Sequence, residues 1–474
     1  VITRASPLFQ GWGRVIRKTL NHGLGILSVV KNIVFFMEMH QPRRLNRLLH
    51  YQSPMEPLEM MFDDELNRII LSRIAVKSYG KVLDLLRQAN KDYGYRFSVS
   101  ITGTLVEQLR KWEPWVLGKL VELIKDGVVE PVAETYYHSL AYLIDEGEFR
   151  EQVTMQVRLV EELTGRRPIT AQNTEFMYSD DVGRVFSEMG FRVVLTEGVE
   201  RVLGFRQPTY LYRGPGGIML LLRHYRLSDD VGFRFTNRSW DQYPLTADKY
   251  VAWLNATSGD LVMIGLDMET FGEHMPEESG IFEFLRWMFR HAHESNISFI
   301  TPSEVESHVP SSYELNINEL ISWADVEKDA SAWIGNEMQW VSFNQLHMLY
   351  RLTRELGDEY LMRYVRLLMV SDHFYYMSTK HGAPQDVHNY FNPYYSPYRA
   401  YTLYQSAVHR LLNYMVKVHG NALVMKRLAS IKLPSELAAW VKGESFSKAN
   451  CQSVQYTARL ITINHPELSK GCLQ

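Results

Sequence analysis

Cysteine is nearly missing from this chain of 474 residues: Cys451 and Cys472 are the two, both close to the C-terminus. They cannot form a disulfide framework, and a reducing, cytoplasmic setting is expected. Long apolar runs are also missing. No window reaches the roughly 18 uninterrupted apolar residues of a membrane span. Net charge is close to nil, with 51 Lys and Arg against 54 Asp and Glu, a formal −3. A protein held to nucleic acid by a basic face carries a positive excess, so neither nucleic acid nor membrane is expected as a partner. Acids are absent from positions 1–37, where Arg4, Arg14, Arg17, Lys18 and Lys31 are basic. That stretch lacks the small-residue cleavage site of a signal peptide and runs straight into a strand-like run. Residues 1–29 are therefore set apart as an N-terminal extension without assigned function, and translation is expected to start near Val29 or Val30.

Aromatic residues are plentiful: 27 Tyr, 10 Trp and 21 Phe. Rings with polar edges stack on sugar C–H faces while bonding hydroxyls. A large core needs aromatics equally, so position has to decide.

From Lys31 onward, short apolar runs alternate with helical patterns. Ile33 to His40 reads as a buried strand of the parallel-sheet kind. Further strands are expected at Arg96 to Thr104, Val128 to Glu134, Ile169 to Glu175, Arg192 to Glu197, Ile218 to His224, Leu261 to Asp267 and Ile297 to Thr301. Strand alternating with helix implies a parallel sheet, and seven or eight units favour a closed or distorted barrel over a doubly wound sheet. The first strand is followed by His40-Gln41-Pro42 rather than a Gly-rich phosphate loop. Past Pro302 the pattern turns helical, over Ala324 to Met377 and Tyr398 to His419, with a Pro-, Asn- and Tyr-rich linker from Lys380 to Pro397. The expected organisation is a β/α-barrel domain over 30–302, a helical domain over 303–440 reaching the substrate cleft, and a tail over 441–474.

In a β/α barrel, side chains at the C-terminal strand ends build the site. Here those ends carry His40, Thr102 and Thr104, Glu134, Glu175, Glu197, and Asp267 with Glu269. A buried strand that stops at a carboxylate is costly unless the group is paired, hydrated or used. Several acidic endings on one rim suggest glycoside hydrolysis, which needs one carboxylate to attack or activate water and one acid to protonate the leaving oxygen.

At these residues the chain resembles glycoside hydrolase family 57. VFFMEMHQPRRL at 34–45 looks like that family's first signature, and EPVAETYYHSLAYL at 130–143 its second, in the α-amylase-like form. ITAQNTEFMYSDDV at 169–182, IGLDMETFGEHMPEESGIFEFL at 264–285 and SDHFYYMSTK at 371–380 resemble the third, fourth and fifth. YRLSDDVGFRF at 225–235 and WADVEKDASAWIGNEMQ at 323–339 also read like this group. The resemblance implies an α/β fold, an incomplete (β/α)7 barrel followed by a C-terminal helical domain. It implies retaining action on α-1,4-glucans, with Glu175 as nucleophile and Asp267 as general acid/base. Substrate contact is expected from His40, Glu134, His138, Trp240, His274, Asp372 and Tyr375, although Trp240 suits a core position equally well. Glu269 is expected to support Asp267, and Glu134 and Glu197 either bond sugar or pair with Arg223 or Arg226. Phe374-Tyr375-Tyr376 stands where other branches of the family carry Trp.

No cofactor and no metal are expected. A zinc-dependent hydrolase built on His40, His138 and the rim carboxylates is a weaker reading, because a compact HExxH-type pair is lacking. A 4-α-glucanotransferase or branching enzyme would use the same two carboxylates, and a glucan-binding protein with weak catalysis is the remaining alternative. The sequence does not set the oligomeric state.

Overall fold

The computed structural model describes residues 30–309, 312–380 and 392–431. The extension at 1–29, residues 381–391 of the linker and the tail from residue 432 lie outside the described residues.

Ten strands are present among the described residues: β1 (Asn32–Met39), β2 (Phe97–Ile101), β3 (Val129–Ala133), β4 (Thr170–Gln172), β5 (Val193–Glu197), β6 (Tyr212–Arg213), β7 (Met219–Arg223), β8 (Leu261–Asp267), β9 (Ser298–Ile300) and β10 (Tyr313–Glu314). Seven of them close a parallel ring in the order β1-β2-β3-β4-β5-β7-β8 and back to β1. The runs are apolar and almost wholly buried because both faces are covered, by side chains inside the ring and by helices outside. The ring is uneven. β1 pairs with β8 over seven residues, whereas β7 meets β8 at the single pair Arg223↔Met263. The expected eighth strand, β9, stays outside the ring and pairs with the first half of β1. β6 lies antiparallel on β7 and carries β10 on its far edge.

Local sequence sets the helix ends. Asp63, Thr102, Asp145 and Asp358 accept from backbone N–H groups three residues on. Asn336 and Gln339 form a reciprocal capping box. The helical stretch after residue 324 is divided into Ser331–Ile334, Glu337–Leu356, Glu359–Leu368 and Ser371–Tyr375. Gly357 makes the main break by adopting φ 65, which ends one helix before Asp358 caps the next.

The chain stays on the barrel after Pro302: Leu315, Ile317 and Ile321 are buried with Tyr178 and Phe186. The helical region shares a second core with the loops after β1 and β3, through Leu45, Leu49, Phe62, Tyr137 and Leu140. Two further ties fix it above the ring. Ser139 bridges to Val370, and buried Arg366 donates to both oxygens of Glu148, at 2.7 and 3.0 Å. Ser371, Asp372 and Tyr375 are thereby held over the strand ends.

Candidate active site

A cavity of about 670 Å³ opens at the C-terminal ends of the ring. Glu175 and Asp267 both line it. Their strands, β4 and β8, are separated by β5 and β7 on one side and by β1, β2 and β3 on the other. The two carboxylates therefore face each other across the barrel mouth.

Glu175 sits in a tight turn beyond β4, at φ 62 and ψ 24, and Phe176 follows at φ 53. Two successive left-handed non-glycine residues are unfavourable and persist only where the surroundings impose them. The carboxylate is well held. Ser371 Oγ donates to Oε1 at 2.8 Å and Trp323 Nε1 donates to Oε2 at 2.7 Å. His138 Nε2 lies 3.4 Å from Oε1, and Trp323 N bonds the Glu175 carbonyl at 3.2 Å.

Asp267 ends β8 in register with Glu38 on β1. Burial and then the Glu175 charge push its carboxyl up to about 7, with His138 and Arg223 opposing. Glu269 is 5% exposed and accepts from Gln41 Nε2 at 2.9 Å and from the Tyr79 hydroxyl. Burial, with the Asp267 charge added, pushes it up to about 8. It is anchored in the wall by Gln41 and Tyr79 and also lines the cavity.

The wall on the β1 and β3 side is built from histidines and carboxylates. His138 Nδ1 faces Glu134 Oε2 at 2.8 Å and Glu38 Oε1 at 3.0 Å. Burial disfavours its charge, but Glu38, Glu134 and Glu175 outweigh that and raise it well above the ordinary histidine value. His40 stacks on it, with centroids 4.1 Å apart. Burial and this charged neighbour lower His40, whose Nε2 lies 2.9 Å from Asp372 Oδ2 and whose Nδ1 lies 3.0 Å from Thr102 Oγ1. Burial opposes the Asp372 charge, yet His40, His138 and Arg44 hold that carboxyl well below the usual range. Glu38, with Gln172 Nε2 2.9 Å away, is driven upward by burial and by the neighbouring carboxylates.

The wall on the β5 and β7 side has a different composition. Arg223, 3% exposed, donates to Glu197 at 2.9 Å, to Asp229 at 2.6 Å and to the Gly265 carbonyl at 2.8 Å. Lys328 also reaches Glu197, at 3.2 Å. Of the two roles held open for Glu197, the pairing with Arg223 is the one present; Arg226 instead pairs with Glu200 on the surface.

The structure brings His40, His138, Glu175, Asp267, His274, Asp372 and Tyr375 to the cavity. Burial lowers His274 to about 4. Glu134 is fully buried behind His138, so it contacts the histidine and does not line the cavity. Trp240 is not among the lining residues; its indole packs edge-on against Trp253, 6.1 Å away, beside the barrel core. It is partly buried there, whereas Gly232, Phe233 and Arg234 earlier in the same segment reach the cavity.

Glu38, Trp323 and Ser371 were not singled out by the sequence. Glu38 carried a signal, as the one carboxylate inside the apolar run Ile33–Met39. Trp323 and Ser371 lie within quoted motifs but reach Glu175 through tertiary folding, across 148 and 196 positions. For a metal, Glu38, Glu134 and His138 offer ligand atoms within 4.8 Å of one another. The imidazole nitrogen already sits at hydrogen-bond distance from both carboxylates.

A parallel barrel with two differently held carboxyl groups at the mouth of a cavity is an arrangement that glycoside hydrolysis or transfer can use. The model of glycosyl hydrolase family 57 matches residues 34–318. A Methanocaldococcus jannaschii protein named "Putative alpha-amylase" is 40% identical over 384 residues, which is 78% of this chain and 82% of that protein. The chain belongs to glycosyl hydrolase family 57. Among solved structures, the GH57-type branching enzyme of Pyrococcus horikoshii is similar at TM-score 0.60 and 17% identity, covering 88% of this chain and 97% of that one. The 4-alpha-glucanotransferase of Thermococcus litoralis is similar at TM-score 0.55 and 16% identity; 73% of this chain spans 56% of that enzyme. These two likenesses concern the fold.

Proposed function

We propose that the protein is a retaining α-1,4-glucan hydrolase of the α-amylase type, with Glu175 as nucleophile and Asp267 as general acid/base. The supporting observation is the unequal treatment of the two carboxyls. Glu175 accepts from Ser371 and Trp323, whereas Asp267 is held up to about 7 and is protonated at mildly acidic pH.

Asp267 gives its proton to the glycosidic oxygen as that bond breaks, and Glu175 forms a bond to the anomeric carbon. The ionised Asp267 then takes a proton from water, whose oxygen displaces Glu175 with a second inversion. His40, His138, His274, Asp372 and Tyr375 contact the glucan. The name of the 40% identical relative favours hydrolysis. A glucanotransferase or branching enzyme differs only in admitting a sugar hydroxyl where water enters. A cytoplasmic setting fits the two-cysteine sequence, and no helix among the described residues is long and apolar enough to cross a membrane.

The test is product analysis on maltoheptaose and soluble starch, with wild type beside Glu175→Gln. New reducing ends and shorter maltooligosaccharides, lost in the variant, support the proposal. Longer products with little gain in reducing ends favour transfer, and activity surviving in Glu175→Gln removes the nucleophile assignment.

A further inference from the structure

One side chain is tied to both sides of the reacting pair. Arg223 lies where β7 and β8 share a single register pair, and its Nε–H bonds the carbonyl of Gly265, two residues before Asp267. Its Cζ lies over the ring of Trp323, 5.6 Å from the centroid, and Trp323 is the residue that donates to Glu175. Gly265 keeps this crossing close-packed. A Cβ there would come within 3.3 Å of Arg223 Cδ and 3.4 Å of Phe176, the residue after Glu175. Glu197 and Asp229 fix the guanidinium in its plane from the other edge. A planar fork suits this task, because it directs several donors at once while leaving a face for an aromatic ring.

We propose that Arg223 is a positioning residue that sets the placement of Glu175 relative to Asp267, acting on one through Trp323 and on the other through the Gly265 backbone. The proposal rests on the catalytic pair assigned above. Lysine cannot reproduce the fork, so Arg223→Lys lowers kcat by about 10- to 100-fold with little change in KM. Arg223→Met also removes a positive charge facing Asp267. The other groups facing that carboxyl are Glu38, Glu175, Asp372, Glu269, Tyr79 and Tyr375, which raise it or are raised by it, and His138, which lowers it. The alkaline limb of kcat/KM therefore moves up by roughly 0.5–1 pH unit in Arg223→Met and stays in place in Arg223→Lys.

The experiment pairs these profiles with indole N–H spectra of ¹⁵N-tryptophan-labelled protein, the Trp323 signal being assigned by its loss in Trp323→Phe. A shifted Trp323 signal in Arg223→Lys, with the split between the two pH profiles, supports the proposal. An unmoved Trp323 signal in folded Arg223→Lys overturns it, as does an unmoved limb in folded Arg223→Met. A wild type inactive on maltooligosaccharides defeats the functional reading instead, and the indole signal still decides whether Arg223 positions Trp323.

Discussion

The two walls of the cleft are both made of buried charge, and they handle it in opposite ways. The β1 and β3 wall balances Glu38, Glu134 and Asp372 against two stacked histidines. The β5 and β7 wall balances Glu197 and Asp229 against Arg223 and Lys328. Histidine exchanges protons near neutrality and arginine does not. In the first wall the two stacked rings are pushed apart, His138 well above the ordinary histidine value and His40 below it, whereas the second wall is fixed by its arginine. Glu175 bonds to both, through His138 on one side and Trp323 on the other. pH dependence near neutrality in this enzyme is expected to come first from Asp267, held up to about 7.

The comparison is broken most severely at His138. His138→Phe leaves buried Glu134 without its histidine and buried Glu38 with Gln172 alone, and removes a group 3.4 Å from Glu175. Uncompensated buried charge costs about 3–5 kcal/mol, and activity falls by an estimated 10²- to 10³-fold. Denaturant unfolding and kcat/KM on maltoheptaose measure the two effects. A variant with wild-type stability would show that the three groups do not share charge.

Trp323→Phe is the milder counterpart on the arginine wall. It keeps a ring near Arg223 and Phe176 but deletes the N–H that reaches Glu175. Loss of one hydrogen bond to a charged group is worth about 1.5–3 kcal/mol, so kcat drops by roughly 10- to 100-fold. Initial rates at saturating substrate check this, and a change confined to KM would argue that Trp323 acts only by packing.

The same contrast explains what could be read from sequence. Strand positions were legible because parallel strands covered on both faces are apolar throughout, as in Leu261–Asp267, and because caps such as Asp145 act within one turn. Rim residues His40, Glu175 and Asp267 were legible because strand ends deliver them together. What could not be read were contacts closed across the chain. Ser371 meets Glu175 because Arg366 and the Ser139–Val370 bridge hold the helical region down. Trp240 carried no local sign that its ring would meet Trp253 rather than the cleft. Arg223 was legible as a partner for Glu197 at the end of an apolar strand, but its bond to the Gly265 carbonyl across the narrow β7–β8 seam was not.

The smallest effects sharpen the comparison by sign, because two carboxyls in one cavity should respond oppositely. Asp267 is raised from an unfolded value near 3.8 to about 7. Its neutral form is preferred on folding, so its contribution to stability is fully present below the unfolded value and is lost as pH rises through about 7. Asp267→Asn removes that loss. The variant's midpoint should match wild type near pH 4 and exceed it by a few degrees at pH 8. Asp372 is lowered below 3.8 by His40, His138 and Arg44 against the effect of burial. Its contribution is present above the unfolded value and is lost as pH falls through the depressed folded one. Asp372→Asn should therefore melt lower than wild type at pH 6 and 8, with the gap narrowing towards acid. Thermal unfolding of both variants from about pH 2 to 8 tests the pair. Gaps of the same sign would mean that the histidine wall does not hold Asp372 charged while Asp267 stays neutral across the cleft.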